Sequence, residues 1–102
     1  PMVRIPPRDP RVKAVYHTYV IRVQRRPELQ AYLAERGIET KIHYPRPIHL
    51  QPGYADLGYG PGAFPETERQ AGEILSLPIH QYLYQEQVEF VAEQVGRFYR
   101  GQ

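Results

Sequence analysis

The chain has no cysteine and no tryptophan, a single serine, Ser76, and only two lysines, Lys13 and Lys41. Without cysteine, disulfides and thiolate metal sites are excluded, and nothing in the chain requires an oxidising compartment. No apolar run approaches the length of about 20 residues that a spanning helix needs, and the start carries no signal-peptide pattern. A cytoplasmic protein with no membrane partner is therefore expected. A concentrated basic face is missing too. Lys and Arg number 13 against 11 Asp and Glu, a net charge of +2, so the pI of 9.1 rests on few charges. Positive residues are scattered apart from Arg22, Arg25 and Arg26. Nucleic-acid binding, which wants clustered cations, is not expected.

The familiar signatures of catalysis are also missing. There is no His-Glu-x-x-His helix, and the four histidines, His17, His43, His49 and His80, lack the spacing of a metal site. No metal is expected. Gly58, Gly60 and Gly62 alternate, but Pro61 interrupts them and they follow no strand. They read as turn residues, not as a phosphate loop. Ser76 has no nucleophile-elbow setting, and neither lysine is placed like a Schiff-base lysine. The residues alone supply no complete catalytic set.

What is present is a chain of 102 residues, 41% hydrophobic, which suits one soluble globular domain. Nine of its 11 prolines fall within residues 1–10, 45–52 and 61–65, and the chain has 9 tyrosines. Proline clusters fix extended, ordered loop paths. Tyrosine suits places where an apolar body meets a polar partner.

Residues 1–13 read as an extended lead-in with no strand or helix period. Residues 15–23 are β-branched and aromatic and read as a strand. Pro27 can open a helix that carries Leu29, Tyr32 and Leu33 and closes at Gly37. Residues 38–44 read as a second strand that Pro45 ends. A stiff loop, 45–52, and a short helical piece over 54–57 follow. A helix after Phe64 and Pro65 is expected to turn Ala71, Ile74 and Leu75 inward. Residues 76–79 read as a third short strand. The last helix spans about 85–99, with an apolar stripe of Val88, Val91, Ala92, Val95, Phe98 and Tyr99. The order implies an α/β fold: a small two-layer sandwich with a mostly antiparallel sheet of about three strands and helices on one face. His43 and Tyr44 end the second predicted strand. Binding residues often sit at such positions, and so do residues that merely pack there.

Five segments in order resemble one family. Tyr16-His17-Thr18-Tyr19-Val20-Ile21-Arg22-Val23 is similar to the first strand of the small domain in DegT/DnrJ/StrS aminotransferases. Residues 37–51, which include Lys41-Ile42-His43-Tyr44-Pro45 and His49-Leu50-Gln51, resemble that family's most distinctive C-terminal stretch. Phe64-Pro65-x-x-Glu68 and Leu75-Ser76-Leu77-Pro78-Ile79-His80 follow in the family's order, and Arg97-Phe98-Tyr99 ends the last helix similarly. Ala63 departs from the acidic residue frequent before Phe-Pro.

The resemblance implies that residues 1–102 are the C-terminal small domain of a larger fold-type I enzyme dependent on pyridoxal phosphate. That enzyme would move an amino group from glutamate to a nucleotide-linked keto sugar, in aminosugar synthesis for cell-surface polysaccharides or antibiotics. It implies a homodimer and an N-terminal domain holding the cofactor and its lysine, upstream of Pro1, with no cofactor bound by this stretch. It places His43, Tyr44, His49 and Lys41 at the substrate. A stand-alone, non-catalytic α/β binding module, or part of a sugar dehydratase of the same family, are the alternative readings. A lysine or a histidine at the upstream cofactor position would separate transamination from dehydration.

Overall fold

A computed structural model of the chain describes residues 2–80 and 82–101. Among them, strands β1 (Val3–Arg4), β2 (Tyr19–Val23) and β3 (Ile74–Leu77) form one antiparallel sheet in the order β1-β2-β3. Helix α1 (Arg26–Glu35) follows β2, α2 (Pro65–Ala71) precedes β3, and α3 (Gln85–Arg100) comes last. The α/β class and the three-stranded antiparallel sheet agree with the reading of the sequence. No described helix is long and apolar enough to cross a membrane.

The register divides the sheet into two faces. Val23 pairs with Val3, Ile21 with Leu75 and Tyr19 with Leu77. Paired residues point the same way in an antiparallel ladder, so these six form one apolar face. Leu29 and Leu33, four apart on α1, lie against it with Ile38 and with Val95 of α3. Leu29, Leu33 and Leu75 are wholly buried, each contributing about 1.5–3 kcal/mol relative to exposure. The other face carries Arg22, Val20 and Ser76. There the Arg22 guanidinium binds Glu73 at 2.7 Å and reaches Glu66 of α2 at 3.5 Å.

Local chemistry sets the ends of α1. Pro27 stands in its first turn, where its missing N–H costs nothing. At the other end Gly37 has φ of 78°. Its N–H donates to the Ala34 carbonyl at 3.1 Å, and the Ile38 N–H donates to the Leu33 carbonyl at 3.0 Å. This is a Schellman closure, and Ile38 drops into the core beside Leu33 as such closures favour. Arg22, Arg25 and Arg26 all have protein partners. Arg25 binds Glu28 and lies over the Phe98 ring, and Arg26 donates to the carbonyls of Ala71 and Ile74.

Several boundaries differ from expectation. The lead-in is not structureless, since Val3 and Arg4 pair with the end of β2. The first long strand begins at Tyr19, not at residue 15, because Tyr16 takes φ of 51° and breaks the extended path. Residues 38–44 form no strand. Ile38 is used by the helix closure, and only Lys41 pairs, as a single bridge to Ser76. The expected inner face of α2 is also corrected. The helix ends at Ala71, and Ile74 and Leu75 belong to β3. That strand ends at Leu77, because Pro78 has no N–H for the ladder. The loop after Pro45 holds two 3-10 turns, Ile48–Leu50 and Pro52–Leu57.

Candidate functional site

The candidate site lies at the outer edge of β3, on the side away from the core. The Lys41 N–H donates to the Ser76 carbonyl at 3.2 Å, and the Ser76 N–H donates back to the Lys41 carbonyl at 2.7 Å. This exchange places Lys41 opposite Ser76. His43, two residues on, lies on the same side, and its Nδ1 sits 2.9 Å from the Ser76 Oγ. Ser76 is 5% exposed, so the hydroxyl is a fixed post for an otherwise exposed imidazole.

Around this post lies an open cleft of about 290 Å³, lined by His17, Glu39, Lys41, His43, Ser76 and His80 among others. The Nδ1 of His80 accepts the Tyr82 N–H at 3.1 Å. Glu39 and Lys41 pair at 3.0 Å, with side chains 78% and 64% exposed, so solvent screens their attraction heavily. Among the described residues no group of three or more His, Asp or Glu is placed to hold a metal ion.

The four residues singled out from sequence therefore separate. Lys41 and His43 share the cleft. Tyr44 is 73% exposed and meets the His43 ring edge to face at 5.6 Å, but it lines a neighbouring hollow with Arg46, Ile48 and Gln70. His49 is elsewhere and buried at 8% exposure. Its Nε2 lies 3.2 Å from the Glu68 carboxylate, and the Phe64 ring meets it at 4.7 Å. Glu68 also accepts the N–H groups of Gly62, at 2.8 Å, and Phe64, at 3.1 Å. The Gly62 N–H above all, then those of Phe64 and His49, hold its carboxyl below the usual range against the opposing effect of desolvation. In this chain His49 fastens the loop to α2.

His17, His80 and Ser76 were not picked out from sequence. No local signal pairs the first two; they meet because His17 precedes β2 and His80 follows β3, and the antiparallel pairing of Tyr19 with Leu77 puts those two ends together.

The sequence model of the DegT/DnrJ/EryC1/StrS aminotransferase family matches residues 1–96. The chain belongs to this family. A pleiotropic regulatory protein of Geobacillus stearothermophilus is 51% identical over 86 residues, covering 84% of this chain and 23% of that protein. The dTDP-3-amino-3,4,6-trideoxy-alpha-D-glucose transaminase of Streptomyces venezuelae is 39% identical over 95 residues, covering 93% of this chain and 25% of the relative. The crystal structure of S. venezuelae DesV in complex with a ketimine intermediate superposes with a TM-score of 0.89 at 38% identity, over 96% of this chain and 26% of that one. This DegT/DnrJ/EryC1/StrS family member thus spans about a quarter of the length of the relatives it matches. The motifs that carry the family likeness divide between the two roles seen in the structure. Lys41 and His43 open onto solvent at the cleft, whereas Phe64-Pro65-x-x-Glu68 builds the pocket that encloses His49.

Proposed function

We propose that this chain is the small C-terminal domain of a pyridoxal-phosphate-dependent aminotransferase acting on a nucleotide-linked keto sugar, with glutamate as amino donor. In this reading the domain supplies one wall of the substrate cleft, and His43 and Tyr44 contact the substrate. The observation that carries it is the mounting of His43: an exposed imidazole held at 2.9 Å by a buried hydroxyl on the strand edge, with Lys41 beside it. Such an arrangement presents a polar side chain outward at little entropic cost. The relatives named for sugar transaminase activity support the substrate class.

The residues present do not suit the cofactor's own attachment. Covalent attachment wants a lysine whose pKa is lowered by enclosure or by a cationic neighbour. Lys41 is instead 64% exposed beside the carboxylate of Glu39, and Lys13 is exposed in the lead-in. The cofactor site is assigned to the part of the protein that the relatives' greater length represents. We assign the covering of one apolar groove to that same part. The groove, about 500 Å³, runs between the lead-in and α3 and is lined by Ile5, Tyr16, Leu83, Val88 and Val91. Ile5 is 67% and Val88 49% exposed, and apolar surface of this kind marks a contact site. A homodimer of the whole protein in the cytoplasm, as in the family it resembles, completes the proposal.

The test is His43→Ala in the intact enzyme, with the two half-reactions measured separately. The nucleotide-sugar KM should rise roughly tenfold, about 1.4 kcal/mol, and the glutamate half-reaction should be nearly unchanged. Equal loss in both half-reactions, together with a lower Tm, would remove His43 from the substrate site.

A further inference from the structure

From His43 to Gln70 the chain leaves the sheet and returns, and His49 is the only buried residue of that span. What holds the span is therefore polar. Glu68, on α2, accepts the N–H groups of Gly62 and Phe64, and an ionised carboxylate can only accept. The His49 Nε2 at 3.2 Å is thus the donor. The Phe64 ring meets the imidazole at 4.7 Å, and the Tyr59 ring lies against Phe64 at 5.1 Å. The anchor reaches the exposed side chains through a short closed piece of chain. The Leu50 N–H donates to the Pro47 carbonyl at 3.0 Å, and the Gln51 N–H to the Ile48 carbonyl at 3.1 Å. The Gln51 side-chain amide donates to the Arg46 carbonyl at 3.1 Å. Residues 46–51 so form one turn around His49, joined to Tyr44 through Pro45, whose ring fixes its φ. A displaced His49 carries the turn with it, and Pro45 passes the displacement to Tyr44. His43 has its own tie to Ser76, so the latch governs how Tyr44 stands against the His43 ring, now edge to face at 5.6 Å.

We propose that His49 is a positioning residue: its bond to Glu68 sets the place of Tyr44 beside His43, and His49 itself does not touch the substrate. The proposal rests on the substrate reading above. It departs from the placement of His49 at the substrate that the family likeness implied, because this imidazole is 8% exposed and its Nε2 is committed. An apolar side chain buried at the same point would also hold the loop to α2, but apolar burial has no preferred direction. A charge-assisted hydrogen bond has one, and it fixes orientation as well as contact.

The test uses the intact enzyme with the two half-reactions measured separately. His49→Leu keeps an apolar body and loses the donor. His49→Gln keeps an N–H donor near the place of Nε2, and His49→Asn ends too short to reach Glu68. The nucleotide-sugar KM should rise about three- to tenfold in His49→Leu and His49→Asn and less than about twofold in His49→Gln, with kcat and the glutamate half-reaction nearly unchanged in all three. Adding His49→Leu to Glu68→Ala should raise KM no further than Glu68→Ala alone, since both break one bond. Should His49→Leu fail to fold, the difference between His49→Gln and His49→Asn decides alone. Equal KM values in those two, additive losses in the double variant, or equal damage to both half-reactions would overturn the positioning role. A selective KM rise in His43→Ala with none in His49→Leu overturns the latch and keeps the substrate reading. No selective rise in His43→Ala overturns that reading, and the latch with it.

Discussion

Ser76→Ala isolates the positioning of His43 from the packing around it. The hydroxyl is buried, and its partner, His43, is exposed. Alanine removes the oxygen alone, so the backbone exchange between Lys41 and Ser76, at 3.2 and 2.7 Å, remains available. The His43 ring nitrogen then meets water, and no buried polar atom is orphaned. One such hydrogen bond is worth a net 0.5–1.5 kcal/mol, roughly. If that energy holds the imidazole in its binding position, its loss appears in substrate affinity. The nucleotide-sugar KM of the intact enzyme should rise about two- to tenfold, with glutamate turnover unchanged. Stability should fall by less than about 1 kcal/mol, which for a domain of this size moves Tm by under about 8 °C. Separate half-reaction kinetics and a thermal melt give both readings. An unchanged KM, or equal loss in both half-reactions alongside a Tm drop well beyond that range, would refute the positioning role.

Other perturbations test the fold itself. Leu33→Ala empties a wholly buried position between α1 and the sheet, and should cost about 2–5 kcal/mol in a denaturant titration. Gly96→Ala lies inside α3, where an added Cβ would come within 2.8 Å of only the flexible end of Arg100. It should stabilise by about 0.5–1 kcal/mol, the helix-interior difference between the two residues. Glu68 and Glu73 are both held below their ordinary value of 4.5, mainly by the Gly62 N–H and the Arg22 guanidinium respectively. A lowered folded-state value stabilises above the unfolded one and is lost as pH falls through the folded one. Tm should therefore decline as pH falls below the ordinary value of 4.5 and through the lowered folded-state values, and Glu68→Gln should flatten that acid limb in a pH series of melts.

Local signals were legible and long-range ones were not. Pro27 and Gly37 bracket α1 because both act through their own φ, and the stripe on α3 shows because one helix presents one face. The two-residue strand β1 carries no period. It exists because Val3 completes the apolar face beside its ladder partner Val23, 20 positions further along the chain. Residues 38–44 have β-branched residues at Ile38, Thr40 and Ile42, but strand propensity reports a fit to a half-buried surface rather than a ladder. Ile38 found that surface as the closing residue of α1, and the ladder shrank to one bridge. At the site, Lys41 and His43 were legible together because they are two apart on an extended segment. His49 stands apart from them. Its role depends on Glu68, 19 residues later, and a buried imidazole with a carboxylate partner looks in sequence like any other loop histidine.

The two histidines of the proline-rich loop have opposite surroundings for one mechanical reason. The loop is tied at both ends to regular elements. At its start Lys41 is bonded twice to β3 through Ser76. At its end His49 is tied to Glu68 on α2, which also gathers the N–H groups of Gly62 and Phe64. Between the ties Pro45 and Pro47 remove backbone freedom that would otherwise have to be lost on binding. The span thus projects His43, Tyr44 and Arg46 into solvent with little packing of their own. Tyr44 at 73% exposure makes no contribution to the core, so its placement is set entirely by what holds the chain on either side. Burying His49 at one end fixes that end of the loop, so that under the proposed substrate role the exposed side chains at the other are held in place before substrate arrives. A loop built this way gains affinity through preorganisation rather than through additional contacts.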